Sequence, residues 1–200
     1  MTLHEYVPAR LIDRRDLLHR LAHAAAWSVA GVVATATLPT RVHAATQDNW
    51  RMCNKCNMMF YAGYRRSSCP AGGRHDAAVG ANFFLPYDVG ETPNAQGAWR
   101  FCNKCESLFF DGYPDKGVCA RGGGHVAQGY VFVLPHDIRA GGYVEKDWRY
   151  CTKCHAIFSN QSGRVGRCAA GAGHTAAGFN FALRFQGNLH NDNVGIPAND

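Results

Sequence analysis

A cysteine-rich motif occurs three times in this 200-residue chain and limits its possible folds more than any other feature. The motif begins with WRMC at Trp50, WRFC at Trp99 and WRYC at Trp148, so the tryptophans lie 99 − 50 = 49 and 148 − 99 = 49 residues apart. A fixed period of about 20 to 50 residues is typical of stacked or ring-closed repeats. The sequence therefore predicts three repeats, over 45–98, 99–147 and 148–200, the last with a polar tail.

The spacing of the cysteines favours metal binding. Each repeat reads Cys-x2-Cys, then 12 or 13 residues, then Cys-x5-His, and the three sets use all nine cysteines. Nine thiols cannot all pair as disulfides within the chain. A thioredoxin-type redox pair needs one Cys-x2-Cys at the start of a helix, and an iron–sulfur cluster usually needs four cysteines. Three thiolates and one imidazole form a regular tetrahedral set for Zn²⁺.

The predicted cofactor is therefore three zinc ions per chain, with disulfides, a redox role or another soft metal as alternatives. The glycines of GGR, GGG and GAG, between the third cysteine and the histidine, are expected to let the backbone curl towards the same ion. Lys55, Lys104 and Lys153, inside the Cys-x2-Cys segments, are expected to offset the negative charge of each site. The predicted ligands are Cys53, Cys56, Cys69, His75, Cys102, Cys105, Cys119, His125, Cys151, Cys154, Cys168 and His174.

Residues 1–44 have the order of an export signal. Arg14 and Arg15 precede an apolar stretch from Ala24 to Leu38, and small residues follow at Val42 and Ala44. The arginine pair and the mild hydrophobicity favour a twin-arginine signal, with the twin-arginine translocon as partner and a periplasmic or secreted destination. The alternative is an uncleaved membrane anchor, but the stretch is short for a span of about 20 residues. A zinc-loaded domain would fold in the reducing cytoplasm before export.

The charge of the mature chain argues against nucleic-acid binding. The whole chain has 21 − 15 = +6, and removal of residues 1–44 leaves 16 − 12 = +4. Each Zn(Cys)₃(His) site adds +2 and −3, which lowers the net charge to about +1. No basic stripe remains for a phosphate backbone.

Alternating apolar residues predict strands in every repeat. Short apolar runs follow the Cys-x2-Cys segments at 58–61, 108–110 and 157–158, and longer runs begin at Ala81, Tyr130 and Phe179. The longer runs are expected to place six equivalent side chains on one face: Phe83, Leu85, Phe132, Leu134, Phe181 and Leu183. Polar connectors are predicted at 87–98 and 136–147, and no amphipathic helix is evident.

The predicted class is all-β, made of small zinc-stapled repeats. Two arrangements fit: one trefoil-like body with the matched Phe and Leu at its centre, or three zinc-ribbon-like beads on linkers. A repeat of this length buries little core alone, which favours the compact body. Zinc supplies folding energy without a core, which permits the beads.

The chain resembles a group of bacterial exported proteins built from tandem W-R-x-C-x-K-C…C-x-x-G-G-x-H repeats that end in an aromatic strand and L-P-H-D. The resemblance covers nearly all of the mature chain. It implies export, but it implies no activity and no ligand.

The sequence favours a non-enzymatic binding module for an envelope or extracellular ligand. The alternatives are a periplasmic enzyme with an unrecognised site, or a zinc-buffering or redox protein. Four protein ligands leave no open position on a zinc for substrate. The other mature-chain histidines, His136, His155 and His190, do not recur in register, and His136 and His155 are expected to be solvated at the surface.

Four residues are candidate ligand contacts because they occur in two repeats and not in the third. A residue that the fold requires should occur three times, so these four are free for another role. The alternative is that the third repeat is a divergent cap. The candidates are Tyr64, Tyr113, Asp88 and Asp137.

Overall fold

The computed structural model describes residues 44–64, 67–78, 80–139 and 141–187, and each repeat contributes three strands to it. The predicted signal, including Arg14 and Arg15, lies outside the described residues except for Ala44, and so do His190 and the polar tail from residue 188. The strands are β1 Thr46–Met52, β2 Met59–Tyr61, β3 Asn82–Pro86, β4 Ala95–Cys102, β5 Leu108–Phe110, β6 Ala127–Pro135, β7 Val144–Cys151, β8 Ile157–Ser159 and β9 Ala176–Gln186.

The described part of the chain is all-β, as predicted. Its only helical element is a 3₁₀ turn at Gln161–Gly163. Hydrogen-bonded strands run in the orders β2-β1-β3-β9-β7-β8 and β5-β4-β6, and isolated bridges join the two sets into a nearly closed, barrel-like sheet. Among the described residues, no helix is long and apolar enough to cross a membrane.

The first strand of each repeat was not predicted, because the sequence placed strands only after the Cys-x2-Cys segment and after the histidine. Residues 95–98 and 144–147 belong to β4 and β7, although the sequence placed them in polar connectors. Each of these strands has a β-bulge just before its tryptophan, and the residue preceding the tryptophan has a positive φ of 58° to 63° in Asn49, Ala98 and Asp147. The bulge interrupts the period-two alternation from which strands are recognised, which explains why these strands were not predicted.

The six side chains predicted to share a face all lie in one hydrophobic core. Phe83, Leu85 and their equivalents in the other repeats are at most 1% exposed, and the three tryptophans are completely buried among them. Each tryptophan packs edge-on against the phenylalanine of another repeat at a ring distance of 5.1 Å, in the pairs Trp50–Phe132, Trp99–Phe181 and Trp148–Phe83. A core shared in this way favours the compact body over separate beads.

Backbone pairing between repeats follows the same cyclic order. Tyr87 bridges Phe132, and His136 bridges Phe181. Phe185, at the equivalent position of the third repeat, pairs with Phe83 of the first. Each repeat is therefore hydrogen-bonded to the next, and the last to the first.

The arginine after each tryptophan donates a hydrogen bond to the backbone of the segment that follows the histidine. Arg51 donates to the Ala81 carbonyl at 3.1 Å. Arg100 donates to the Gly129 carbonyl at 3.1 Å and Arg149 to the Gly178 carbonyl at 3.0 Å. The Trp-Arg pair thus has two structural functions, since one side chain fills the core and the other binds a neighbouring strand.

Candidate metal centres

Each predicted ligand set comes together in a buried Cys₃His group. The first cysteine ends or directly follows β1, β4 or β7, a turn carries the second, and a loop after β2, β5 or β8 supplies the third cysteine and the histidine. The residue after the second cysteine closes the turn. It has a φ of 61° to 65°, and its backbone N–H donates to the carbonyl of the first cysteine; this residue is Asn57, Glu106 or His155. We name the groups centre 1 (Cys53, Cys56, Cys69, His75), centre 2 (Cys102, Cys105, Cys119, His125) and centre 3 (Cys151, Cys154, Cys168, His174).

The spacing of the ligand atoms matches a tetrahedral metal site and excludes a disulfide. The first and third sulfurs of each centre are 3.8, 3.9 and 3.9 Å apart, and the second sulfur lies 3.5, 3.5 and 3.4 Å from the histidine Nδ1. Zn–S bonds of about 2.3 Å and a Zn–N bond of about 2.0 Å give a tetrahedral S···S edge of ~3.8 Å and an S···N edge of ~3.5 Å. A disulfide needs sulfurs about 2.05 Å apart, and all nine cysteines are free.

The thiols of each group shift one another's pKa values in opposite directions. Hydrogen bonds with the second and third cysteines hold the pKa of the Cys53, Cys102 and Cys151 thiols below the ordinary value. Hydrogen bonds with the first and third cysteines, and then burial, raise the pKa of the second-cysteine thiols of Cys56, Cys105 and Cys154. Three thiols cannot all ionise side by side in a buried site unless a positive charge is present, which a bound cation would supply.

The imidazoles take part in the same balance. Burial lowers the pKa of His75, His125 and His174, but hydrogen bonds with two of the sulfurs outweigh it and raise each pKa to about 9. Each ring also stacks on a phenylalanine at 4.6 to 4.7 Å, in the pairs His75–Phe60, His125–Phe109 and His174–Phe158. The rings are thus held with Nδ1 towards the sulfurs.

The glycine-rich loops have the predicted curl. Gly72, Gly73, Gly122, Gly123 and Gly171 have positive φ, and the carbonyl of each third cysteine accepts a backbone N–H bond from the residue three positions later. Ala172 adopts the same conformation, at φ 54°, where the other loops have glycine.

The motif lysines join the two halves of each centre. Lys55 donates to the Gly72 carbonyl at 2.7 Å, Lys104 to those of Gly122 and Gly124, and Lys153 to that of Gly171 at 2.9 Å. The sequence suggested charge compensation, and the lysines place a positive charge beside each centre while bridging its two loops.

Tyr64 and Tyr113 lie on exposed aromatic surfaces where two repeats meet. Tyr64 is 60% exposed and contacts Tyr61 and Phe101, and Tyr113 is 51% exposed and contacts Phe110 and Tyr150. At the third junction, Ser159 and Met52 stand in place of these aromatic partners. The structure therefore has two such surfaces among its described residues.

Asp88 and Asp137 lie elsewhere and make local backbone contacts. Asp88 accepts from the Val131 amide and Asp137 from the Asn180 amide, both at 3.2 Å, and both residues have φ near 50°. Hydrogen bonds from His136 and then from Asn180 lower the pKa of Asp137. These bonds link consecutive repeats, and ligand binding by the two carboxylates stays a prediction.

The expectation that His136 and His155 are solvated is wrong. His136 is 4% exposed, stacks on Phe179 at 3.7 Å and donates from Nδ1 to Asp137 at 2.9 Å. His155 is 5% exposed beneath Tyr113 and Tyr150. His136 begins a polar connector and His155 precedes an apolar run, but packing between repeats buries both rings, and a single repeat read alone does not reveal those partners.

Sequence reasoning also missed two glycines. Gly117 and Gly166, each two residues before a third cysteine, have φ of 60° and 61°, and a Cβ on either would overlap the carbonyl of the second cysteine in another repeat. The first repeat has Ser67 at this position. The signal was present as a glycine that recurs in two repeats, but its reason lies in contacts across repeats.

Comparisons with known proteins give no assignment: no protein-family model, curated protein or solved structure matches the chain.

Proposed function

We propose that the protein is a zinc-stabilised binding module with a structural zinc ion in each of its three centres. The observation that carries this proposal is the threefold occurrence of a buried Cys₃His group with tetrahedral spacing. Zinc suits a soft set of three thiolates and one imidazole. The runner-up metals are other soft divalent ions.

The role of the zinc ions is structural. Each centre supplies four protein donors, and a closed tetrahedral site leaves no position for a reacting water or substrate. The ligands come from a strand end and a distant loop, so each ion would fasten a loop with little regular structure to the core. The role proposed for the protein is therefore binding rather than catalysis.

We further propose that the three sequence repeats form a trefoil-like body with pseudo-threefold symmetry. The cyclic Trp–Phe contacts and the cyclic strand bridges support this arrangement. Such a body presents equivalent surfaces at its three junctions, and two of these carry an exposed tyrosine.

The binding surfaces proposed are the two tyrosine junctions, and the ligand proposed is a carbohydrate polymer. The flat face of a tyrosine packs against apolar C–H groups while its hydroxyl bonds to polar ones, which suits a sugar ring. A Cβ at Gly63 or Gly112 would overlap the ring of Tyr61 or Phe110, so these glycines permit the compact turn that presents the tyrosine. Two equivalent surfaces gain avidity only on a ligand that repeats its unit.

Co-sedimentation with insoluble cell-envelope polysaccharide tests the binding role. We expect the zinc-loaded protein to sediment, Tyr64→Ala or Tyr113→Ala to weaken binding by about 10-fold or more through lost avidity, and the double variant to stay in solution. Tyr143→Ala is the control, since Tyr143 is 43% exposed outside both surfaces. A wild-type protein that stays in solution, or a Tyr143→Ala variant that is equally impaired, would contradict the proposal.

Export through the twin-arginine pathway is proposed on the sequence of residues 1–44. The pathway transports folded proteins, so zinc could load before the thiols meet an oxidising compartment. Replacement of both Arg14 and Arg15 by Lys should retain the protein in the cytoplasm, as measured by cell fractionation. Normal export of this variant would refute the assignment.

A further inference from the structure

Centre 1 differs from the other two centres in the hydrogen bond behind its histidine. His125 Nε2 donates to the Cys154 carbonyl at 3.0 Å, and His174 Nε2 donates to the Cys56 carbonyl at 3.1 Å. The buried Nε2 of His75 has no hydrogen-bond partner among the described residues. His125 and His174 are therefore hydrogen-bonded through Nε2 to another repeat, and His75 is not.

The residue two positions before the third cysteine accounts for the difference. Gly117 and Gly166 lie against the carbonyls of Cys154 and Cys56 so closely that a Cβ would overlap them. Ser67, at the same position in the first repeat, has a Cβ. The loop of the first repeat, with 12 residues between its second and third cysteines instead of 13, takes another path.

The hydrogen bonds of that loop show the altered path. The His75 amide donates to the Ser67 hydroxyl at 3.2 Å, whereas the amides of His125 and His174 donate to backbone carbonyls. The Cys105 carbonyl, which corresponds to the acceptors of the other two centres, receives the Ser68 amide at 3.4 Å instead. Hydrogen bonds to sulfur do not distinguish centre 1 from centre 2, since each has two among the described residues, whereas centre 3 has one, from the Thr175 amide to Cys151.

The missing bond affects the metal ligand directly. A bond from the distal ring nitrogen fixes the tautomer and orientation of a metal-binding imidazole, and its loss typically lowers metal affinity by about 10- to 100-fold. His75 is also the most exposed of the three, at 9% against 4% for His125 and 5% for His174. It can swing away from the ion without breaking a bond to a neighbouring repeat.

From this asymmetry we propose that centre 1 is an exchangeable metal site. It takes up and releases a soft divalent ion, while centres 2 and 3 keep theirs and hold the body together. This role deepens the proposed function and rests on metal binding by all three centres. It assigns the chain a second activity, the exchange of zinc-like ions with competing ligands.

Native mass spectrometry of the zinc-loaded chain during incubation with EDTA tests the proposal. We expect one zinc to leave at least about 10-fold faster than the other two. Alkylation after loss of the first zinc should modify Cys53, Cys56 and Cys69 before any other cysteine. Release of the three ions at one rate, or first alkylation in centre 2 or 3, would overturn the inference, whereas a chain that binds no metal would overturn the proposed function itself.

A variant of centre 3 supplies the converse test. Gly166→Ala should push the loop off the Cys56 carbonyl and add a second fast-leaving zinc, with alkylation at Cys151, Cys154 and Cys168. The control is Gly171→Ala, in the same loop and also at positive φ, where a Cβ meets nothing within 4 Å. Equal zinc release from both variants would mean that backbone strain, and not the lost histidine contact, controls exchange, which would contradict the inference. If Gly166→Ala does not fold, the order of cysteine alkylation in the native chain tests whether centre 1 loses its zinc first.

Discussion

Glu145 shows how one side chain departs from its equivalents. It lies half-buried in β7 opposite Leu183, as Gln47 in β1 lies opposite Leu85 and Gln96 in β4 lies opposite Leu134. Gln47 accepts a hydrogen bond from the Trp50 indole at 3.1 Å. Burial raises the pKa of the Glu145 carboxyl above its ordinary value near 4.5. The folded state therefore binds this proton more tightly than the unfolded chain.

We expect Glu145→Gln to stabilise the protein at neutral pH. A carboxyl with a raised pKa destabilises the fold progressively as the pH rises from its unfolded pKa through its folded one. Urea unfolding should therefore give a higher midpoint for the variant at pH 7 and a smaller difference near pH 4. Gln96→Glu is the converse change and should lower the midpoint at pH 7. Equal midpoints for wild type and Glu145→Gln at both pH values would contradict the assignment.

At the scale of elements, the Phe110 ring at the end of β5 packs over Gly112 in the turn that follows. A Cβ on Gly112 would overlap the ring. In the third repeat the ring is replaced by Ser159 and the glycine by Gln161. The two positions therefore change together.

A double-mutant cycle tests this coupling. Gly112→Gln should destabilise the native chain by about 1 to 3 kcal/mol, because the new side chain displaces the ring. In a Phe110→Ser background the same change should be nearly neutral, which gives a coupling energy within the ~0.5–3 kcal/mol seen for contacting residues. Urea unfolding of the four proteins measures it. Additive effects would mean that the ring and the glycine do not constrain each other.

Some strands and site residues could be predicted from the sequence, and others could not. The strands after each histidine follow from period-two alternation, and the structure confirms them. The spacing of the cysteines and histidines predicts the three Cys₃His sets, and the structure brings the members of each set together. The strands β1, β4 and β7 do not follow, because a bulge at positive φ breaks the alternation. The burial of His136 and the need for Gly117 depend on another repeat, which no local pattern records.

For the whole molecule, the shared core predicts that the described repeats unfold together. Phe132→Ala should destabilise the protein by about 3 to 5 kcal/mol, because Phe132 is 1% exposed and packs against Trp50 of the first repeat. Hydrogen exchange should then speed up in all three repeats. Val131→Ala, on the exposed side of β6, is the control and should cost less than about 1 kcal/mol. Loosening confined to the middle repeat would favour independent beads.

The metal content of the folded protein tests the central claim most directly. Elemental analysis of protein purified from the cytoplasm, with thiol counting by mass spectrometry, should give three zinc ions and nine free cysteines per chain, and Cys56→Ser should reduce the zinc by about one equivalent. Structural zinc is worth on the order of 10 kcal/mol of folding free energy at neutral pH, so removal of all three ions should unfold the chain. Protein that stays folded without metal and carries intramolecular disulfides would contradict the account.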